Sequence, residues 1–270
     1  MVSTIEGLND VRARASKFCA DRNWSQFHTP NNILLALAGE VGEVCEIFQW
    51  KGDLDKFELN EEQTVFSEEE ITHIGEEISD VIIYCTRLCD VANIDLANIV
   101  EAKATGKNLN SPRPLGFSWS SNFPFSKLRK YSQSIVQQKS RSPRYYSCKL
   151  SVYLGKLTSL FMRPEAESTS GLKAWSPEDV RDLSSIMGSI IITMGCLATS
   201  VGLELPQILT SKMDANERKY PVTKAYGSAA KYTKYQKKKG SGVSVLGTVL
   251  LSVSCFAAGL VAGHAAKKWW

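Results

Sequence analysis

Apolar residues that return every three or four positions constrain this chain more than any other feature. Leu8, Val11, Ala15 and Phe18 form one stripe, Ile33, Leu37, Val41 and Val44 a second, and Ile71, Ile74, Ile78, Val81 and Ile82 a third. That spacing lines one face of an α-helix, and no strand-like alternation of comparable length competes with it. The expected fold class is all-α. Two Pro- and Ser-rich stretches, Asn110–Pro124 and Arg163–Gly171, interrupt the pattern, and the first reads as a linker over 111–124.

The segments on either side of that linker repeat one another. Adding 109 to a position carries Phe66, Ser67 and Glu69 to Trp175, Ser176 and Glu178, and Ile82 and Ile83 to Ile191 and Ile192. The same offset carries Leu88, Leu96, Ile99, Lys103 and Pro112 to Leu197, Leu205, Ile208, Lys212 and Pro221. An offset of 113 relates Pro30, Leu37 and Phe48 to Pro143, Leu150 and Phe161. The matched Lys and Pro lie off the apolar stripe, so a shared helical period alone does not account for them. The reading is two tandem copies of one helical unit, residues 1–110 and 125–223.

Glu40, Glu43 and Glu46 recur at intervals of three, as do Glu77 and Asp80, with Glu76 beside them. On a helix this spacing stacks like charges along one face, where they repel unless a cation lies between them. An acidic run is ordinarily a solvated face. Here Leu34–Gly39 leads into Glu40, Val41-Gly42 separates it from Glu43, and Asp80 opens into Val81-Ile82-Ile83, which puts the acids on core-forming helices. Oxygen donors without His or Cys suit Mg²⁺, or Mn²⁺, rather than zinc.

Charge divides at the linker. Residues 1–110 hold 20 acids and 9 bases, the remainder 8 acids and 23 bases, so a net +4 conceals halves of −11 and +15. Much of the acidity comes from the carboxylate helices and the segment Asp53–Glu70. Seven cysteines without a CxxC pair point to reduced thiols in a cytosolic setting, and with charged residues among the first twenty no signal peptide is expected. Gly240–Ala266 contains no Asp, Glu, Lys or Arg. As a helix, Val243–Ala266 would reach roughly 36 Å, enough to cross a hydrocarbon core of about 30 Å. Lys237, Lys238 and Lys239 precede it and Lys267, Lys268, Trp269 and Trp270 follow, which is the pattern of a tail anchor. The expectation is a cytosol-facing protein held by a transmembrane helix at 243–266, behind a basic juxtamembrane segment at 224–242. The membrane would be the mitochondrial outer membrane, the peroxisome or the endoplasmic reticulum. Gly259 and Gly263 form a GxxxG. The lysines at 224, 231, 234 and 237–239 fit anionic headgroups, and no nucleic-acid partner is expected.

Trp24-Ser25-Gln26-Phe27-His28-Thr29-Pro30, Leu34–Glu43, Phe48-Gln49-Trp50 and Glu77–Tyr84 together resemble the eukaryotic dCTP pyrophosphatase family. That family lies in the MazG-like all-α NTP pyrophosphatase superfamily, marked by ExxE on one helix and ExxD on another. Lys212-Met213-Asp214-Ala215-Asn216-Glu217-Arg218-Lys219-Tyr220-Pro221 resembles the closing motif of the family. The resemblance implies hydrolysis of a deoxynucleoside triphosphate, typically dCTP and modified forms, to monophosphate and pyrophosphate. It implies Mg²⁺ ligation by Glu40, Glu43, Glu77 and Asp80, with Glu43 the choice for the base that takes the water proton. It also implies substrate contacts from Trp24, His28, Trp50 and Tyr84.

Neither copy matches the family pattern throughout. The first loses the Asp, Asn and Tyr of the closing motif after Lys103, and Ala15 stands where vertebrate relatives carry a His. In the second, Glu40, Glu43, Glu77 and Asp80 fall on Tyr153, Lys156, Ile186 and Ser189, and Trp24 and Trp50 on Gln137 and Arg163. The second keeps Lys212, Asn216, Arg218 and Tyr220, groups that bind phosphate or sugar. Since family members form dimers, the expectation is a fused pseudo-dimer with one shared active site, and a homo-oligomer of the fused unit is allowed. The alternative is a catalytically inactive, membrane-tethered scaffold of the same fold, against which the intact ExxE and ExxD argue.

Overall fold

The four longest described helices each begin at a Ser or Thr that caps them. In a computed structural model, the described residues are 4–50, 66–107, 122–162 and 175–228, and all their regular elements are helices. The first four are α1 (Leu8–Asp21), α2 (Pro30–Gln49), α3 (Glu68–Val91) and α4 (Leu96–Thr105). They are followed by α5 (Phe125–Lys139), α6 (Pro143–Phe161), α7 (Pro177–Ser200), α8 (Leu205–Lys219) and the single turn α9 (Val222–Ala225). Thr29 caps α2 by accepting the N–H of Asn32 at 3.2 Å, and Ser142 caps α6 through Tyr145 at 3.3 Å. Ser67 with Glu70 and Ser176 with Asp179 close reciprocal capping boxes on α3 and α7. Each boundary of α7 falls 109 residues after the corresponding boundary of α3, and both helices have 24 residues.

The predicted stripes face inward. Leu8, Val11, Ile33, Leu37, Val41, Val44, Ile74, Ile78, Val81 and Ile82 are all buried, each worth about 1.5–3 kcal/mol of apolar transfer for the larger side chains. In α1 the last inward residue is Cys19, and Phe18 is half-buried, carrying the Arg22 guanidinium 3.6 Å above its ring. α2 packs on α3, α6 on α7, and α2 on α6. α3 and α7 meet, α3 also packs on α8, and α7 also packs on α4. Residues Met1–Ala229 make one compact unit.

The entries to α1 and α5 lie side by side. Gly7 and Pro124 form an isolated antiparallel bridge, with Leu8 N–H donating to the Phe123 carbonyl at 3.2 Å and Phe125 N–H to the Glu6 carbonyl at 2.8 Å. A Cβ on Gly7 would stand 2.6 Å from the Phe123 carbonyl oxygen, so only glycine permits this approach. Among the described helices, α7 alone is long and apolar enough to cross a membrane, and 67% of its most apolar window is buried within the fold. The predicted anchor at 243–266, the basic segment beyond residue 228, the linker at 111–121 and Asp53–Val65 lie outside the described residues.

Candidate active site

The ExxE of α2 and the ExxD of α3 face each other. One carboxylate oxygen from each of Glu40, Glu43 and Glu77 lies within 4.8 Å of the other two. Glu77 is buried and Glu40 half-buried, while Glu43 is exposed at the mouth. Oε2 of Glu77 is buried without a hydrogen-bond partner, and His73, one turn earlier, lies 3.3 Å from Oε1. Burial, followed by the nearby charges of Asp80 and Glu43, pushes the Glu40 carboxyl up to about 7. Burial and then Glu43 raise Glu77 in the same way. Such a cluster, all oxygen and short of positive charge, fits a hard divalent cation: an ion would satisfy the orphaned oxygen of Glu77 and offset the repulsion.

Asp80 stands one turn beyond Glu77 and is engaged by Lys212 of α8, whose Nζ is 2.6 Å from Oδ2. The two side chains are 15% and 16% exposed, so water screens the pair little. Burial would lower the Lys212 ammonium, but Asp80, with Glu77 and Glu76 behind it, holds it above its usual value. Burial raises Asp80 despite the opposing charge of Lys212. Lys219, two turns further along α8, also acts on both Glu40 and Asp80. The spacing of 212 and 219 was the available signal for that second lysine.

Tyr84 follows on the same face of α3, its hydroxyl raised by burial and then by Glu40, Asp80 and Tyr220. Beyond it, Trp24 packs edge-on to Tyr220 at 5.3 Å between centroids and to Phe18 at 5.6 Å, with the His28 ring 6.4 Å away. The indole N–H of Trp24 donates to the Ala225 carbonyl at 2.9 Å. Arg22 Nε donates to the Tyr220 carbonyl at 2.6 Å, and the Gly227 N–H to the Arg22 carbonyl at 2.8 Å. Arg14 of α1 pairs with Asp214 and Glu217 of α8.

Of the predicted substrate residues, Lys212 meets Asp80, Tyr84 is influenced by Asp80 and Tyr220, and Tyr220, Trp24 and His28 follow one another through ring contacts. Asn216 is half-buried on α8, where its carbonyl accepts the Tyr220 N–H at 2.9 Å. Arg218 is exposed. Trp50, at the C-cap of α2, is 86% exposed and pairs with no other ring among the described residues. A polar cluster around Arg87 was not read from the sequence, although a lone Arg seven residues after Asp80 in an otherwise apolar run marks it.

No family model matches the chain. Over 96 residues it is 42% identical to dCTP pyrophosphatase 1 of Rattus norvegicus, 42% to that of Mus musculus and 43% to that of Homo sapiens. In each case the match covers 36% of this chain and 54% of the relative, so the chain spans about half the length of the curated relatives it matches. Over about a third of its length, the all-helical chain is thus related to proteins named dCTP pyrophosphatase 1.

Proposed function

We propose that the chain hydrolyses deoxynucleoside triphosphates, dCTP and its modified forms among them, to the monophosphate and pyrophosphate. The observation that carries this reading is the convergence of the α2 and α3 carboxylates on a cation-sized cluster that Lys212 borders. Glu40, Glu43, Glu77 and Asp80 would hold Mg²⁺, or Mn²⁺, which when bound neutralises the triphosphate and polarises the α-phosphoryl group. A water oxygen attacks the α-phosphorus, the bond to the α–β bridging oxygen breaks, and pyrophosphate leaves. Glu43, the most exposed of the acids, takes the water proton. Lys212 and Lys219 meet the phosphates, while Trp24 and Tyr220 wall the far end against the base. Magnesium-dependent release of pyrophosphate from dCTP tests this; an Glu40→Gln variant as fast as wild type would overturn it, and total inactivity of the wild type would favour a scaffold.

The reading extends to a fused pseudo-dimer of two tandem copies. Its support is reciprocal packing: α3 against α8 answers α7 against α4, α2 and α6 meet, and the caps of α1 and α5 pair across the Gly7–Pro124 bridge. Reciprocity of this kind is the signature of a two-fold interface. Lys103, at the position matching Lys212, reaches Ser185 at 3.1 Å, where the first copy has Glu76. The same proposal places the domain on a cytosol-facing tail anchor at 243–266. An amino-terminal fluorescent tag that leaves membranes on deletion of residues 240–270 would support that, and an unchanged distribution would refute it.

A further inference from the structure

We propose that Arg87 is a positioning residue that fixes the tautomer of His28, so that His28 offers an Nε2–H donor to an acceptor atom on the base of the nucleotide. The inference rests on the nucleotide-hydrolase reading for its ligand, and on this chain alone for its geometry. Arg87 is buried on α3 and its Nε donates to Nδ1 of His28 at 3.1 Å. A guanidinium has donors only, so Nδ1 must be the acceptor. A neutral imidazole with a lone pair at Nδ1 carries its proton at Nε2.

The clamp on Arg87 leaves it little freedom to do otherwise. Its Nη1 pairs with Asp90 and donates to Ser16 Oγ at 3.3 Å, Ser16 in turn donates to Asp90, and Arg12 lies 3.5 Å from the same carboxylate. The Cys19 thiol of α1 lies 3.6 Å from Nδ1 and can only add a second donor there. The groups facing His28 are thus Cys19 from α1 and Arg87, with Asp90 behind it, from α3. Burial, and then the Arg87 charge, hold the imidazole down at about 4, so the ring is neutral at physiological pH. Among the described residues Nε2 has no hydrogen-bond partner.

Position decides what that donor meets. Glu77, Asp80, Tyr84 and Arg87 follow one another at helical spacing on one face of α3, a rise of about 15 Å from first to last. This ladder leads from the acid cluster, where phosphates belong, past Tyr84 to His28 and Trp24. The reach matches a nucleoside triphosphate laid with its base at the His28 end. A donor there selects bases that present a carbonyl or ring-nitrogen acceptor, and a site built to satisfy such an acceptor discriminates against bases lacking it.

Long-range ¹H–¹⁵N correlation spectra of the full chain labelled in its three histidines, with His28 assigned through His28→Gln, read the tautomer directly. A single neutral form protonated at Nε2 is expected; a proton on Nδ1, or an average of both forms, would overturn the proposal. Arg87→Lys keeps the charge facing Asp90 and loses the Nε–H. It should release the ring to mixed tautomers and lower kcat/KM for dCTP about tenfold, mostly through KM. His28→Phe should match that loss, and the double variant should lose no more than either single one. A purely structural Arg87 would change thermal stability but leave the tautomer untouched, which would also overturn the proposal. If wild type turns over no triphosphate, the functional reading fails and the base contact with it, while the spectrum of the free chain still decides the tautomer.

Discussion

Replacing Lys212 by Met in the metal-free chain removes the ammonium that Asp80 faces at 2.6 Å and leaves a side chain of similar length. Asp80 then sits beside Glu40 and Glu77 with Lys219 as the remaining cation acting on it. Removing one partner of a fully buried ion pair costs 3–5 kcal/mol; because Asp80 keeps some exposure and can take up a proton, the low end applies, about 3 kcal/mol. For a unit of this size that is a loss of roughly 6–12 °C in Tm. Calorimetry in EDTA measures it directly. Saturating Mg²⁺ should shrink the deficit, because the ion compensates the carboxylate that lost its ammonium and so binds the variant more tightly than wild type. Turnover should fall about 10²–10³-fold, the scale of losing one preorganised contact to developing charge. Adding Asp80→Asn should restore much of the stability and none of the activity. A Tm within about 2 °C of wild type in EDTA, or a deficit that Mg²⁺ does not reduce, would refute the reasoning.

Because the folded metal-free chain holds Glu40 protonated up to about 7 while the unfolded chain releases the proton near an ordinary carboxyl value, the folded state binds more protons between those limits. Its stability should therefore fall as pH rises through that window, and Glu40→Gln or bound Mg²⁺ should flatten the fall, as melting curves across pH will show. Trp24→Ala should cost about 3 kcal/mol by losing its edge-on ring contacts and the bond to Ala225, and hydrogen exchange should accelerate first at 220–227. Ser189→Asp should give Lys103 the carboxylate that Lys212 already has, raising Tm by about 3 °C; a lower Tm would contradict the equivalence of the two lysines.

The helices were legible because each stripe obeys one period, and α2, α3, α6 and α7 begin at a Ser or Thr that satisfies a first-turn amide. The acids were legible for a related reason: carboxylates at intervals of three beside core residues repel one another unless a positive charge lies between them. What the sequence did not yield are long-range relations. Lys212 reads as a phosphate ligand in its motif, but that it borders Asp80 depends on how α8 crosses α3. Leu35, in the middle of an apolar run, is 71% exposed, because its neighbours Leu34 and Leu37 already fill the inward face of α2. The burial of Arg87 follows from Asp90, Ser16 and His28 closing around it.

On the proposed pairing of two copies, the matched lysines face different charge environments. In a symmetric dimer each lysine would face an acid-bearing helix, and the repulsion among those acids would be shared by cation and ammonium at two sites. Here Lys212 meets Asp80, with Glu77 and Glu76 behind it, whereas Lys103 meets Ser185, a neutral group, and its half-buried ammonium is lowered by burial alone. Where α3 has Glu77 and Asp80, α7 has Ile186 and Ser189, so neither of those positions offers Lys103 a carboxylate. In α3, removing the acids would leave Lys212 partly buried without a counter-charge. If the two copies share one site as proposed, acids on one half and the lysine on the other protect each other: each member makes the loss of its partner expensive.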